Sequence, residues 1–125
     1  MSAMPIPDAA LAHHIAILGK TGSGKSNAAK VVTEILLARR ERVCAVDPTG
    51  TWFGLRLDRS GKKPSPWPIV IFGGEHADLP IAGEHGAAIA ETISTSSTSA
   101  IIDTRQMTVA ARTKFFTDFA ETLIR

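Results

Sequence analysis

Residues 19–26 read Gly19-Lys20-Thr21-Gly22-Ser23-Gly24-Lys25-Ser26, followed by Asn27. The spacing is G-x-x-x-x-G-K-[ST], the pattern of a phosphate-binding loop. Gly19, Gly22 and Gly24 permit backbone conformations that turn successive N–H groups toward one concave side. A helix starting directly behind the loop adds its free N-terminal N–H groups and its positive dipole end at the same anion. Lys25 then reaches the β- and γ-phosphates, and Ser26 supplies a hydroxyl to Mg²⁺. The flanks suit this reading. His14-Ile15-Ala16-Ile17-Leu18 is a short apolar run ending at Gly19, fit for a strand buried on both faces. Behind the loop, Ala28, Val32, Ile35 and Leu36 recur at helical spacing and predict a helix from about Gly24 to Arg40. The alternative is a glycine-rich turn that binds nothing, but plain turns rarely need Gly-Lys-Ser at this spacing. The expected ligand is a purine nucleoside triphosphate with Mg²⁺. No Asn-Lys-x-Asp segment is present, which favours ATP over GTP.

Outward from the loop, strand and helix signals alternate. Val43-Cys44-Ala45-Val46 is a second apolar run, stopped by Asp47-Pro48. Strand, helix and strand in so short a span form a βαβ unit with a right-handed crossover. Leu55 and Leu57 around Arg56, with the turn Asp58-Arg59-Ser60-Gly61, suggest a small hairpin arm. Ile69-Val70-Ile71-Phe72 is a third strand, closed by Gly73-Gly74. A helix is expected over 84–94, a Ser/Thr-rich loop from Thr92 to Ser99, and a fourth strand at Ala100-Ile101-Ile102-Asp103. Thr108 is a candidate N-cap for a last helix carrying Phe115, Phe116, Phe119 and Leu123. This alternation argues for a three-layer α/β domain with a mostly parallel sheet. Residues 1–12, with Pro5, Pro7 and Asp8, read as an irregular leader, and 13–125 as the ATP-binding domain.

Asp47 and Asp103 each end a strand, and ligands of open α/β sheets bind beyond the carboxyl ends of strands. Asp103 follows an apolar run as a Walker B aspartate does, but Thr104 stands where many ATPases carry a glutamate. Each Asp is equally readable as a strand terminator that caps a turn. Glu75, His76, Glu84 and His85 lie on a segment broken by Pro80, Gly83 and Gly86, with no fixed ligand geometry, so no metal is expected there. Cys44 reads as a small core residue. Trp52, Phe53 and Trp67 read as aromatics that pack a loop onto the domain.

The chain has 125 residues, 44% hydrophobic and 21% charged, within the range of globular proteins. Fourteen Lys plus Arg against 12 Asp plus Glu leave a formal charge of +2, too small an excess to mark a nucleic-acid surface. One cysteine cannot close an internal disulfide, and no apolar run is long enough to span a bilayer. A reducing, cytoplasmic setting without membrane contact is expected.

Three stretches carry a family resemblance together. They are Ile17 to Asn27, then Val46-Asp47-Pro48-Thr49-Gly50-Thr51-Trp52, then Phe72-Gly73-Gly74-Glu75-His76-Ala77-Asp78-Leu79-Pro80. They resemble the ATP-binding domain of the HerA-like branch of the HerA/FtsK ATPases, which includes DNA-translocating helicases and conjugation motors. The resemblance runs from about Ala12 to the end. It implies a RecA/FtsK-like P-loop fold that uses ATP and Mg²⁺. The nucleotide contacts it implies are Gly19, Lys20, Thr21, Gly22, Ser23, Gly24, Lys25, Ser26 and Asn27, with Asp47 nearby. It also implies a hexameric ring, an arginine donated by a neighbour, and double-stranded DNA as the track. In this family a strand ending in Asp precedes a helix, and the Walker B strand with its Asp-Glu pair follows that helix. Arg125 falls at the end of that helix, so the chain is expected to be the N-terminal portion of the motor domain, with no assignable catalytic residue. Two alternatives stand beside the motor reading: a nucleotide-binding module without hydrolysis, and a small P-loop kinase.

Overall fold

Ser99-Ala100-Ile101-Ile102-Asp103 has no polar side chain in its interior, so a strand made from it has no face suited to water. The computed structural model describes residues 4, 6–13, 16, 18, 24–58 and 60–125, the Ser26 side chain excepted, and centres a parallel sheet on this segment. Among the described residues the sheet comprises β1 Cys44–Asp47, β2 Ile69–Phe72 and β3 Ser99–Asp103, ordered β1-β3-β2. Cys44 pairs with Ala100 and Asp47 with Asp103 on one side of β3; Ile69 pairs with Ser99 and Phe72 with Ile102 on the other. Every residue of β3 is buried. The expected first strand falls partly on residues 14, 15 and 17, outside the described residues; Ala16 and Leu18 are exposed and take no regular structure.

The chain divides into two compact units, Met1–Val43 and Cys44–Arg125. In the first, a 3-10 helix covers Asp8–Ala12, where irregular backbone is expected, and helix α1 spans Lys25–Ala38. Arg39 donates to the Asp8 carboxylate at 3.2 Å. α1 stops two residues early because Arg40 takes a left-handed φ of 62°. The N–H of Glu41 then reaches the Leu36 carbonyl and that of Arg40 the Leu37 carbonyl, both at 3.0 Å, a Schellman closure built without glycine.

In the second unit, helices α2 Gly86–Thr95 and α3 Val109–Leu123 cover one face of the sheet. Phe72, Ala100 and Ile102 from the strands meet Ala90 of α2 and Phe115 and Phe119 of α3. On the other face, Ile71 and Ile101 pack with Leu55, Trp52 and Phe53 from the 3-10 segment Trp52–Arg56, so these two aromatics dock a loop as expected. The hairpin arm is present: Leu57 bridges Pro64 antiparallel, and Asp58 accepts from Ser60 within the turn. Thr108 caps α3, its hydroxyl accepting from the Ala111 N–H at 3.1 Å.

Two expectations are corrected. Thr92 to Thr95 continue α2 instead of forming a loop, because the hydroxyls of Thr92, Ser94 and Thr95 bond back to carbonyls four residues earlier and leave the helical ladder intact. Cys44 is exposed, not core, since it opens a strand that pairs on one side only among the described residues. No helix among the described residues is long and apolar enough to cross a membrane.

The crossing of α2 and α3 depends on Gly86. A Cβ there would overlap the Phe115 carbonyl oxygen and sit 3.0 Å from the Phe119 nitrogen, both backbone atoms that cannot swing aside. Gly86→Ala is expected to cost about 1–3 kcal/mol, the usual range for overpacking a core. Denaturant unfolding measures it, and an unchanged midpoint would show that the helices part freely.

Candidate functional site

The expected phosphate loop meets the described residues at its last positions. Gly24 has φ 87° and ψ 12°, a left-handed conformation in which a side chain is strained, and it immediately precedes α1. The chain therefore enters the helix at the place the motif requires. Its carbonyl accepts the first helical bond, from Ala28 N–H at 2.9 Å. Among the described residues no side chain caps this end, and no acidic residue lies in the first turn. The N–H groups of Lys25, Ser26 and Asn27 thus have no helical acceptor, which is the donor set an anion needs. Lys25 is half-buried and Asn27 exposed. Gly19, Lys20, Thr21, Gly22 and Ser23 lie outside the described residues, as does the Ser26 side chain that is expected to hold Mg²⁺.

In the second unit the strand ends converge on two aspartates. Asp47, 1% exposed, organises the turn that follows β1. Its Oδ1 accepts from the Thr49 N–H at 2.9 Å, the Thr49 hydroxyl at 2.6 Å and the Gly50 N–H at 3.0 Å. Its Oδ2 accepts from the Trp52 N–H at 2.9 Å. Burial works against the charged form, but these four donors outweigh it and hold the carboxyl below its ordinary value. Asp103, 6% exposed, accepts the Arg105 N–H on Oδ1 at 2.9 Å. Gly74, at φ 77°, lies so close that a Cβ would overlap the Asp103 carboxylate. The Asp47 turn touches the same place: a Cβ on Gly50 would come within 3.3 Å of Asp103 Oδ2.

The loop after β2 is held by a residue that sequence reading left unassigned. Asp78 Oδ2 accepts from the Ile71 N–H at 2.8 Å and from Arg56 at 2.6 Å. The Arg56 bond, then the Ile71 N–H, hold its carboxyl below the usual range. Asp78 N–H returns to the Ile71 carbonyl at 2.8 Å, and Gly73 N–H reaches the Leu79 carbonyl at 2.9 Å. Residues 78 and 79 therefore cover the outer edge of β2, which would otherwise offer unpaired donors and acceptors.

Compared with protein families, residues 6–118 match the model described as helicase HerA, central domain. The chain belongs to that family. Curated proteins and solved structures give no match. Within this HerA central domain, Gly24, Lys25 and Asn27 stand together at the start of α1, while Asp47 and Asp103 stand together at the carboxyl ends of β1 and β3. The lone pairs of Asp47 go to its own turn, so it shapes the backbone at the strand end. Asp78 carried a signal in sequence only as part of Gly73-Gly74-Glu75-His76-Ala77-Asp78, and nothing there says that it reaches back seven residues to a strand N–H.

Proposed function

We propose that this HerA central domain is a P-loop NTPase domain of RecA/FtsK-like type that binds Mg·ATP through residues 19–27. In an assembled hexameric ring in the cytoplasm, it couples hydrolysis to movement along double-stranded DNA. The observation that carries the reading is Gly24, left-handed and directly followed by a helix that no described side chain caps and that has no acid in its first turn. Family membership favours the motor over a kinase. The N–H groups of Lys25, Ser26 and Asn27 receive phosphate oxygens, the Lys25 ammonium neutralises the β- and γ-phosphates, and the Ser26 hydroxyl holds Mg²⁺. The metal, when bound, offsets the charge on the transferred phosphoryl group. Asp47 contributes by fixing the backbone of the turn 47–52.

Lys25→Ala tests this. A charge-assisted contact to phosphate is worth roughly 1.5–3 kcal/mol, so Mg·ATP affinity is expected to fall about tenfold to a hundredfold. A fluorescence titration reads the loss, and unchanged affinity would sink the phosphate-cradle assignment. Single-turnover hydrolysis stimulated by double-stranded DNA separates the motor from a module that only binds.

A further inference from the structure

A cavity of about 120 Å³ opens beyond the carboxyl ends of β2 and β3, lined by Gly74, Glu75, His76, Asp103, Arg105 and Gln106, with Gly50 at its margin. Its groups are sorted by chemistry. Asp103 is almost fully buried, and its Oδ1 is taken by the Arg105 N–H, while Oδ2 receives no donor among the described residues. That oxygen lines the cavity and is free to accept an N–H from a ligand there. Arg105 and Gln106 bring donors. The Arg105 stem crosses Gly50, where a Cβ would be 2.9 Å from Arg105 Cδ, and its guanidinium has no partner among the described residues. His76 supplies a flat wall, stacked on Phe53 with ring centroids 3.6 Å apart and planes 19° from parallel.

The Asp103 carboxylate, a pair of donors and an aromatic wall, with the exposed Glu75 as a second carboxylate, together fit a planar ring with two adjacent N–H donors on one edge and acceptors on another. Guanine has that layout: N1–H and N2–H₂ for the carboxylate, O6 and N7 for Arg105 and Gln106. Adenine has only its N6 amino group to give a carboxylate, flanked by the lone pairs of N1 and N7, and so makes one such bond fewer. A guanidinium group offers the donors but no acceptor, and it would face Arg105 with like charge. The volume is well under the ~300 Å³ at which pockets for whole ligands begin, so it suits a base and not an entire nucleotide.

We infer that this cavity binds a guanine base, delivered either by a free guanine nucleotide or by a nucleic-acid strand. The test titrates GMP and AMP into the 125-residue chain, with calorimetry for affinity and heteronuclear NMR for location. GMP is expected to bind about tenfold or more tightly than AMP. Signal changes should fall on residues 50, 74–76 and 103–106, and Lys25→Ala should bind GMP equally well, which keeps this site distinct from the phosphate loop. Arg105→Ala and Gln106→Ala, both at exposed positions, should each weaken GMP about tenfold while thermal unfolding stays unchanged. Absence of GMP binding, equal affinity for AMP, or GMP affinity untouched in both variants overturns the inference. A short single strand containing one guanine, compared with its adenine counterpart, identifies the source. Tighter binding than GMP with the same variant sensitivity assigns the base to a strand, and weaker binding assigns it to a free nucleotide.

Discussion

Asp47→Ala is expected to lower the unfolding free energy by about 3 kcal/mol, because it removes the acceptor of three part-buried backbone donors at roughly 1 kcal/mol each. Those donors are the N–H groups of Thr49, Gly50 and Trp52, all directed at one carboxylate. Trp52 packs on Ile71 and Ile101, so a loosened turn also opens the sheet face that Leu55 closes. Asp47→Asn keeps an acceptor oxygen but loses the charge, and should recover part of the loss. The effect depends on pH with a definite sign. The folded-state pKa of Asp47 lies below its unfolded value, so its charged form is stabilised by folding. That stability is fully present above the unfolded pKa of about 4, and it drains away as pH falls through the lower folded value. Denaturant titrations at neutral and acid pH check it. The gap between wild type and Asp47→Asn should narrow only below about pH 4. A gap that is constant with pH would mean that the carboxylate's charge has no part in holding the turn.

The strands were legible because each is a continuous apolar run closed by a residue that cannot continue it. Ile69–Phe72 runs into Gly73-Gly74, and its observed limits equal the expected ones. Cys44–Asp47 and Ser99–Asp103 are shifted by a residue or less at their carboxyl ends, since an aspartate that turns back on following N–H groups marks a strand end well. The loop motif is carried by spacing alone: of its glycines only Gly24 is among the described residues, and it is left-handed at the start of α1. Family membership agrees with the resemblance carried by the motif and by the segments after β1 and β2. What stayed hidden is non-local. The order β1-β3-β2 puts the last strand in the middle, and no local signal states which runs will be neighbours. The role of Asp78 depends on a fold-back onto Ile71, and the closure of α1 depends on Arg40 accepting a conformation that usually calls for glycine. Serine and threonine misled at 92–95 because their hydroxyls can compete with a helix or be absorbed by it, and the tertiary packing of Ala90 and Ile93 decided for the helix.

Gly74→Ala should disrupt the carboxyl edge of the sheet most sharply for the fewest atoms added. At φ 77° an L side chain is strained by about 1–2 kcal/mol before any neighbour is considered. The new methyl would then overlap Asp103 Oδ2 and Cγ, and Cβ lies only 3.0 Å away. Asp103 cannot retreat easily, because it ends the central, fully buried strand and its Oδ1 is bonded to the Arg105 N–H. Overpacking of this kind adds about 1–3 kcal/mol, for a total of roughly 2–5 kcal/mol. Gly73 beside it is equally confined, with a Cβ 2.5 Å from the Asp103 carbonyl and 2.8 Å from Ile81 Cγ1, so the backbone cannot shift along the strand to make room. The damage should be local as well as global. Amide signals of Arg105 and of the loop after β2 should move. Gly61→Ala, also at a left-handed glycine but with open space around its Cβ, supplies the control for backbone strain alone. If Gly74→Ala and Gly61→Ala cost the same, contact with Asp103 contributes nothing; a difference of about 1 kcal/mol or more assigns it to the carboxylate.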